Sequence, residues 1–195
     1  MKIIELILDE DQDDIGVEAI SIVESPAIES DFVALKNQEI KLAEVDKEKK
    51  ILMGALLIPN KPIYRNGSDG EYYIYFSKDT IVKASQMFLQ KGNQSNSTLE
   101  HAEPLSGLTL VESWIVESKE KDKSAMYGLD VPVGTWMGSV KVNNDEIWQE
   151  YILTQKCKGF SIEGYFADKM EAPKEKVEEQ LSEELLSKIK SILNK

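Results

Sequence analysis

Cysteine, histidine and arginine each occur once in this chain, as Cys157, His101 and Arg65. A lone cysteine excludes an internal disulfide framework and a cysteine zinc site. A lone histidine argues against a histidine-rich metal centre, so neither a metal nor a cofactor is expected. Positive charge is scarce as well: 23 lysines and arginines face 35 acidic residues, a formal net charge of −12. A chain so acidic lacks the basic stripe that neutralises phosphates, which argues against nucleic acid and against an anionic membrane surface. No apolar run approaches the roughly 18 residues of a spanning helix. The opening Met1-Lys-Ile-Ile-Glu-Leu lacks the charged and apolar regions of a secretory signal, so a reducing cytosol is the expected compartment. What is present suffices for one ordinary domain, because 42% of 195 residues are hydrophobic.

The pattern along the chain is mainly β. Residues 2–8, 19–24, 31–35, 39–45, 51–58, 71–76, 107–117 and 136–142 read as strands, from period-two alternation or short apolar runs. The stretch 51–58 is apolar nearly throughout, as in a strand buried on both faces. Asp9 to Asp14 reads as a solvated acidic loop, since its spacing does not fit a calcium-binding loop. Arg65 to Gly70 reads as a turn cluster, and 93–98 as a polar loop. Ser77 caps a helix running to about Lys91, with Ile81, Ala84 and Phe88 on its buried stripe. Asn143 begins a second helix, with Glu146 as its capping-box partner. After Asp168 the composition changes. Val177, Leu181, Leu185, Ile189 and Ile192 then form the apolar stripe of a charged amphipathic helix. The chain therefore divides into a domain over 1–168 and a terminal helix over 169–195.

Lys158-Gly-Phe-Ser-Ile-Glu-Gly-Tyr-Phe166 is the stretch with chemical promise. As a strand it places Phe160, Ile162, Gly164 and Phe166 on one face, and Gly159, Ser161, Glu163 and Tyr165 on the other. Its glycines suggest a close approach by another backbone, such as a bound peptide. A serine hydroxyl becomes a nucleophile only when a base takes its proton. His101, with an ordinary imidazole near pKa 6.5 and acidic residues at 100 and 103, is the one side chain suited to that role. A third residue would orient the imidazole. Glu112 is the first choice, because it interrupts the apolar row Leu108, Leu110, Trp114 and Val116, and a charge buried there needs a partner. Glu163 and Asp168 are its rivals. Cys157 is the alternative nucleophile, although a buried, inert thiol is the simpler reading.

Taken in order, several segments resemble a known family. These are Gly-Ala-Leu-Leu-Ile-Pro (54–59), Tyr-Tyr-Ile-Tyr-Phe-Ser (72–77), Leu-Glu-His (99–101), Val-Glu-Ser-Trp-Ile-Val (111–116), Gly-Ser-Val-Lys-Val (138–142) and Gly-Phe-Ser-Ile-Glu-Gly-Tyr-Phe (159–166). With Ile20 to Ala27 at the front, residues 17–168 resemble the phage prohead proteases of the XkdF-like group. The resemblance implies an α+β, mainly β fold: a small herpesvirus-protease-like β-barrel surrounded by helices. It implies a serine endopeptidase that matures the prohead in the host cytoplasm. Capsid and scaffold proteins would be its substrates, the chain itself among them, and it leaves a homo-oligomer open. His101 and Ser161 fall on the family's base and nucleophile. The second histidine of herpesvirus proteases has no counterpart here. Neither has the arginine after the serine, so backbone N–H groups would have to serve the oxyanion. The rival reading from another class is a non-catalytic capsid-assembly or scaffold protein on a degenerate protease barrel.

Overall fold

The computed structural model describes residues 2–8, 15–27, 33–34, 49–67 and 70–168. The acidic run 9–14, the strand expected over 39–45 and the helix expected over 169–195 lie outside the described residues. Twelve strands make three four-stranded sheets. The first sheet contains β1 (Lys2–Ile7), β5 (Ile63–Gly67), β6 (Gly70–Phe76) and β12 (Ala167–Asp168), in the order β12-β1-β6-β5. The second contains β3 (Val33–Ala34), β4 (Ile51–Leu57), β9 (Leu108–Ile115) and β10 (Trp136–Val142), in the order β3-β4-β10-β9. The third contains β2 (Gly16–Val23), β7 (Ser97–Leu99), β8 (Glu103–Leu105) and β11 (Gly159–Tyr165), in the order β11-β2-β7-β8.

The expected barrel is therefore corrected: the fold is mainly β, but none of the three sheets closes on itself. Closure would need β11 to pair on both sides. Among the described residues it pairs with β2 alone, and although it passes beside β4, no ladder joins the two. Bulges turn the strands further. The register slips at Glu163/Gly164 between β11 and β2, and at Trp136/Met137 between β10 and β4.

A single core joins the sheets. The 13-residue helix α1 (Lys78–Gln90) starts where Ser77 accepts the Thr80 amide, and it buries Ile81, Ala84 and Phe88. Phe88 meets Trp136 of β10 edge to face, at 5.6 Å between ring centres. On β11, Phe160 is fully buried beside Ile22 of β2, while Ser161 lies opposite Ser21. The strand thus turns its aromatic row to the core and its serine row the other way, as period two requires.

Three local expectations change. Arg65 lies on β5 rather than in a turn. The polar stretch 93–98 contains a 3₁₀ turn (Asn93–Ser95) and the start of β7. The second helix is capped by Asn144, which accepts the Ile147 amide, so the capping-box position falls on Ile147 and not on Glu146. That helix, α2 (Asp145–Ile147), continues into a π-helical turn over Trp148–Ile152.

Gly164 sits where β2 comes closest to β11. A Cβ there would collide with the Gly16 carbonyl oxygen and lie 2.8 Å from Val17 Cα. The approaching backbone is thus the chain's own β2. Gly164→Ala is expected to destabilise the fold by about 1–3 kcal/mol, read as a lower urea midpoint at unchanged m value.

Candidate active site

The site is built on one row across the third sheet. Ser161 of β11 lies opposite Ser21 of β2, and Ser21 lies beside Thr98 of β7. Residues in register across a sheet share a face, so these three hydroxyl-bearing side chains lie on the side away from Phe160, Ile22 and Leu99. Glu163, two residues beyond Ser161 on β11, shares that face.

The chain leaves β7 through a tight turn, Leu99-Glu100-His101-Ala102, closed by the Ala102 amide donating to the Leu99 carbonyl at 3.0 Å. Both central residues have positive φ, 51° at Glu100 and 57° at His101. Glycine usually occupies such positions, and a side chain there costs of order 1–3 kcal/mol. Three contacts offset the strain. The His101 amide donates to Ser21 Oγ at 3.0 Å, and the Glu100 amide donates to the Ile22 carbonyl at 3.1 Å. The Glu100 carboxylate in turn accepts the Glu24 amide at 2.7 Å. The Ser21 hydroxyl is fully buried and itself donates to the Thr98 carbonyl at 3.4 Å.

Held this way, His101 places Nδ1 3.2 Å from Glu163 Oε1, and Thr98 Oγ1 donates to the same carboxylate oxygen. A carboxylate on Nδ1 fixes the tautomer that leaves Nε2 as the basic nitrogen. Ser161 is buried to 8% exposure on the same strand face as Glu163. No hydrogen bond joins its hydroxyl to the His101 ring among the described residues. Such contacts are often long before substrate binds.

Glu112, the first choice for the orienting role, is held elsewhere. It sits on β9 in the second sheet, with Lys123 Nζ 2.5 and 2.7 Å from its two oxygens. That ion pair, more than any other contact, holds its carboxyl below the ordinary range. The reason is a bulge. Val140 pairs with Leu110 but Ser139 pairs with Glu112, so Val111 is an extra residue that flips the alternation. Leu108 and Leu110 are buried, whereas Glu112 beyond the bulge is exposed. Asp168 lies on β12, opposite Leu6 of β1.

Cys157 is buried, with Sγ 3.7 Å from Glu100 Oε1. Burial, reinforced by the Glu100 charge, pushes its thiol up to about 12. A thiol at that value is a poor nucleophile at neutral pH.

A family model described as putative phage serine protease XkdF matches residues 39–171, about two-thirds of the chain and inclusive of His101, Ser161 and Glu163. The chain belongs to this family. The family is described as one of phage serine proteases, which supports a peptidase role and agrees with the resemblance carried by the strand motifs. Within the family match, Ser161 is a serine held at the edge of a sheet. Neither a curated protein nor a solved structure matches the chain.

Sequence reading missed Ser21 and Thr98, and weighed Glu100 only as an acidic neighbour of His101. A serine in the apolar run Ala-Ile-Ser-Ile-Val is the available signal, because a buried hydroxyl needs a partner.

Ser21→Ala leaves the His101 amide unpaired, so the thermal midpoint should fall by an amount equivalent to about 1–3 kcal/mol. Cys157 should react with an aromatic disulfide reagent at pH 8 only after unfolding in guanidinium. Fast reaction in the native protein would contradict the burial described here.

Proposed function

We propose that the chain is a serine endopeptidase in which Ser161 is the nucleophile, His101 the base and Glu163 the residue that orients the imidazole. The observation that carries this reading is the 3.2 Å pairing of His101 Nδ1 with Glu163, on the strand face that also carries Ser161. His101 Nε2 takes the Ser161 proton as Oγ attacks the peptide carbonyl. The C–N bond breaks, and His101 returns that proton to the leaving amine. Water, deprotonated by the same nitrogen, then releases the acyl group as a carboxylic acid. Glu163 compensates the transient imidazolium charge, and Thr98 holds the Glu163 carboxylate in place.

The substrates on this reading are capsid and scaffold proteins, cut during prohead maturation inside the assembling shell in the host cytoplasm. Family membership supports that setting. The acidic surface does not disfavour it, because protein substrates need no phosphate-binding stripe.

Ser161→Ala and His101→Ala should each lower kcat/KM by about 10³-fold or more, and Glu163→Gln by about 10²–10⁴-fold. Glu112→Gln should leave kcat unchanged. The assay is co-expression with the cognate capsid and scaffold proteins, with fragments read by mass spectrometry. Identical fragments from wild type and Ser161→Ala would remove the protease reading and leave a non-catalytic assembly role.

A further inference from the structure

A cavity of about 330 Å³ opens beside β11, between that strand, β4 and the first sheet. This volume lies within the range, roughly 300–1,000 Å³, of small-molecule pockets. Ser161, Ile162, Gly164 and Tyr165 all contribute to its wall. Neighbouring residues of one strand point to opposite faces, so a cavity that touches all of them lies along the strand's edge rather than on either face. That is the edge opposite β2, where no strand pairs among the described residues.

The backbone of that edge is oriented by its neighbours. The Ile20 amide donates to the Asn96 carbonyl and the Ile22 carbonyl accepts from Glu100, so both residues direct their backbone groups away from β11. Ser21 between them therefore directs its own toward Ser161. Alternation then aims the Ile162 amide and carbonyl at the cavity side, one residue from the nucleophile. The buried residues at the cavity floor are apolar: Leu56, Leu57, Ile63, Ile74 and Phe76. The charged contributors, Arg65 and Asp168, are both exposed and mark the mouth.

We propose that this cavity is the specificity pocket of the peptidase. Substrate adds as an extended strand along the outer edge of β11, hydrogen-bonded to Ile162. A large apolar side chain, of the size of leucine, methionine or phenylalanine, fills the cavity from a position adjacent to the scissile bond. The occupant is apolar because burial of an unpaired polar or charged group against this floor would cost several kcal/mol. The proposal rests on the protease reading.

The test uses the full chain and a mixed peptide library digested to low conversion, with cut sites read by mass spectrometry. A small fluorophosphonate reports Ser161 reactivity in parallel. Wild type should show leucine, methionine and phenylalanine enriched at a position flanking the cut. Ala27 is a partly buried member of the wall, so Ala27→Phe adds bulk to the cavity without removing a core side chain. That variant should lose the enrichment and at least about tenfold in kcat/KM on the preferred peptides, a loss of about 1.4 kcal/mol in transition-state binding. It should keep wild-type labelling by the fluorophosphonate. Arg65→Gln should keep the apolar preference. Three results overturn the pocket while leaving the peptidase standing: cut sites without apolar enrichment, unchanged preference in Ala27→Phe, or acidic enrichment lost in Arg65→Gln. Loss of labelling in Ala27→Phe would also overturn it. Absence of both labelling and cleavage in wild type overturns the protease reading, and this proposal with it.

Discussion

The arrangement depends on one hydrogen bond, from the His101 amide to the buried Ser21 hydroxyl. A turn with two consecutive left-handed residues and no glycine does not hold its shape by local preference. Here the strain is met by contacts to the next strand, β2. Because β2 also pairs with β11 through Ser21 and Ser161, the same residue positions both halves of the site. The imidazole and the serine are referenced to one residue.

Strand register does the rest. Ser161 and Glu163 share a face because β11 runs extended through both; the ladder slip that follows Glu163 places its extra residue, Glu18, on β2 and leaves the alternation of β11 intact. An extra residue inserted in β11 between Ser161 and Glu163 would have turned one of the two side chains toward the core. The missing closure between β11 and β4 has a matching role. A completed ladder would have occupied the backbone groups on the outer edge of β11 and left no space beside the serine. An exposed strand edge invites unwanted pairing in most proteins. Here the edge borders an apolar cavity, which narrows the set of chains able to lie against it.

Much of this was legible in the sequence, for physical reasons that can be named. The period-two pattern of 159–165 assigned Phe160 to the core and Ser161 to the opposite face, because a strand edged by β2 alone still buries one side. Ser77 and the stripe of Ile81, Ala84 and Phe88 gave the helix with its start, since capping and helical periodicity are local signals. What failed depended on non-local geometry. Glu112 looked buried because the alternation was extended unbroken past Val111, and a bulge leaves no mark in composition. The barrel was expected from family likeness, whereas closure depends on whether two particular edges meet. Glu163 was weighed as an orienting residue from its place beside Ser161. Its contact with His101 could not be foreseen, because it depends on a hairpin twisting the imidazole back over β2.

The turn that carries the imidazole lies between Leu99 and Glu103, which face each other across the hairpin. Leu99 is held between Ile22 of β2 and Glu103 of β8, which fixes where the turn begins. One added residue could not be absorbed by bending. It would displace the ring from its 3.2 Å pairing with the Glu163 carboxylate. In relatives of this chain, loop length at this corner should therefore be more diagnostic of a working enzyme than the identity of the residues flanking the histidine.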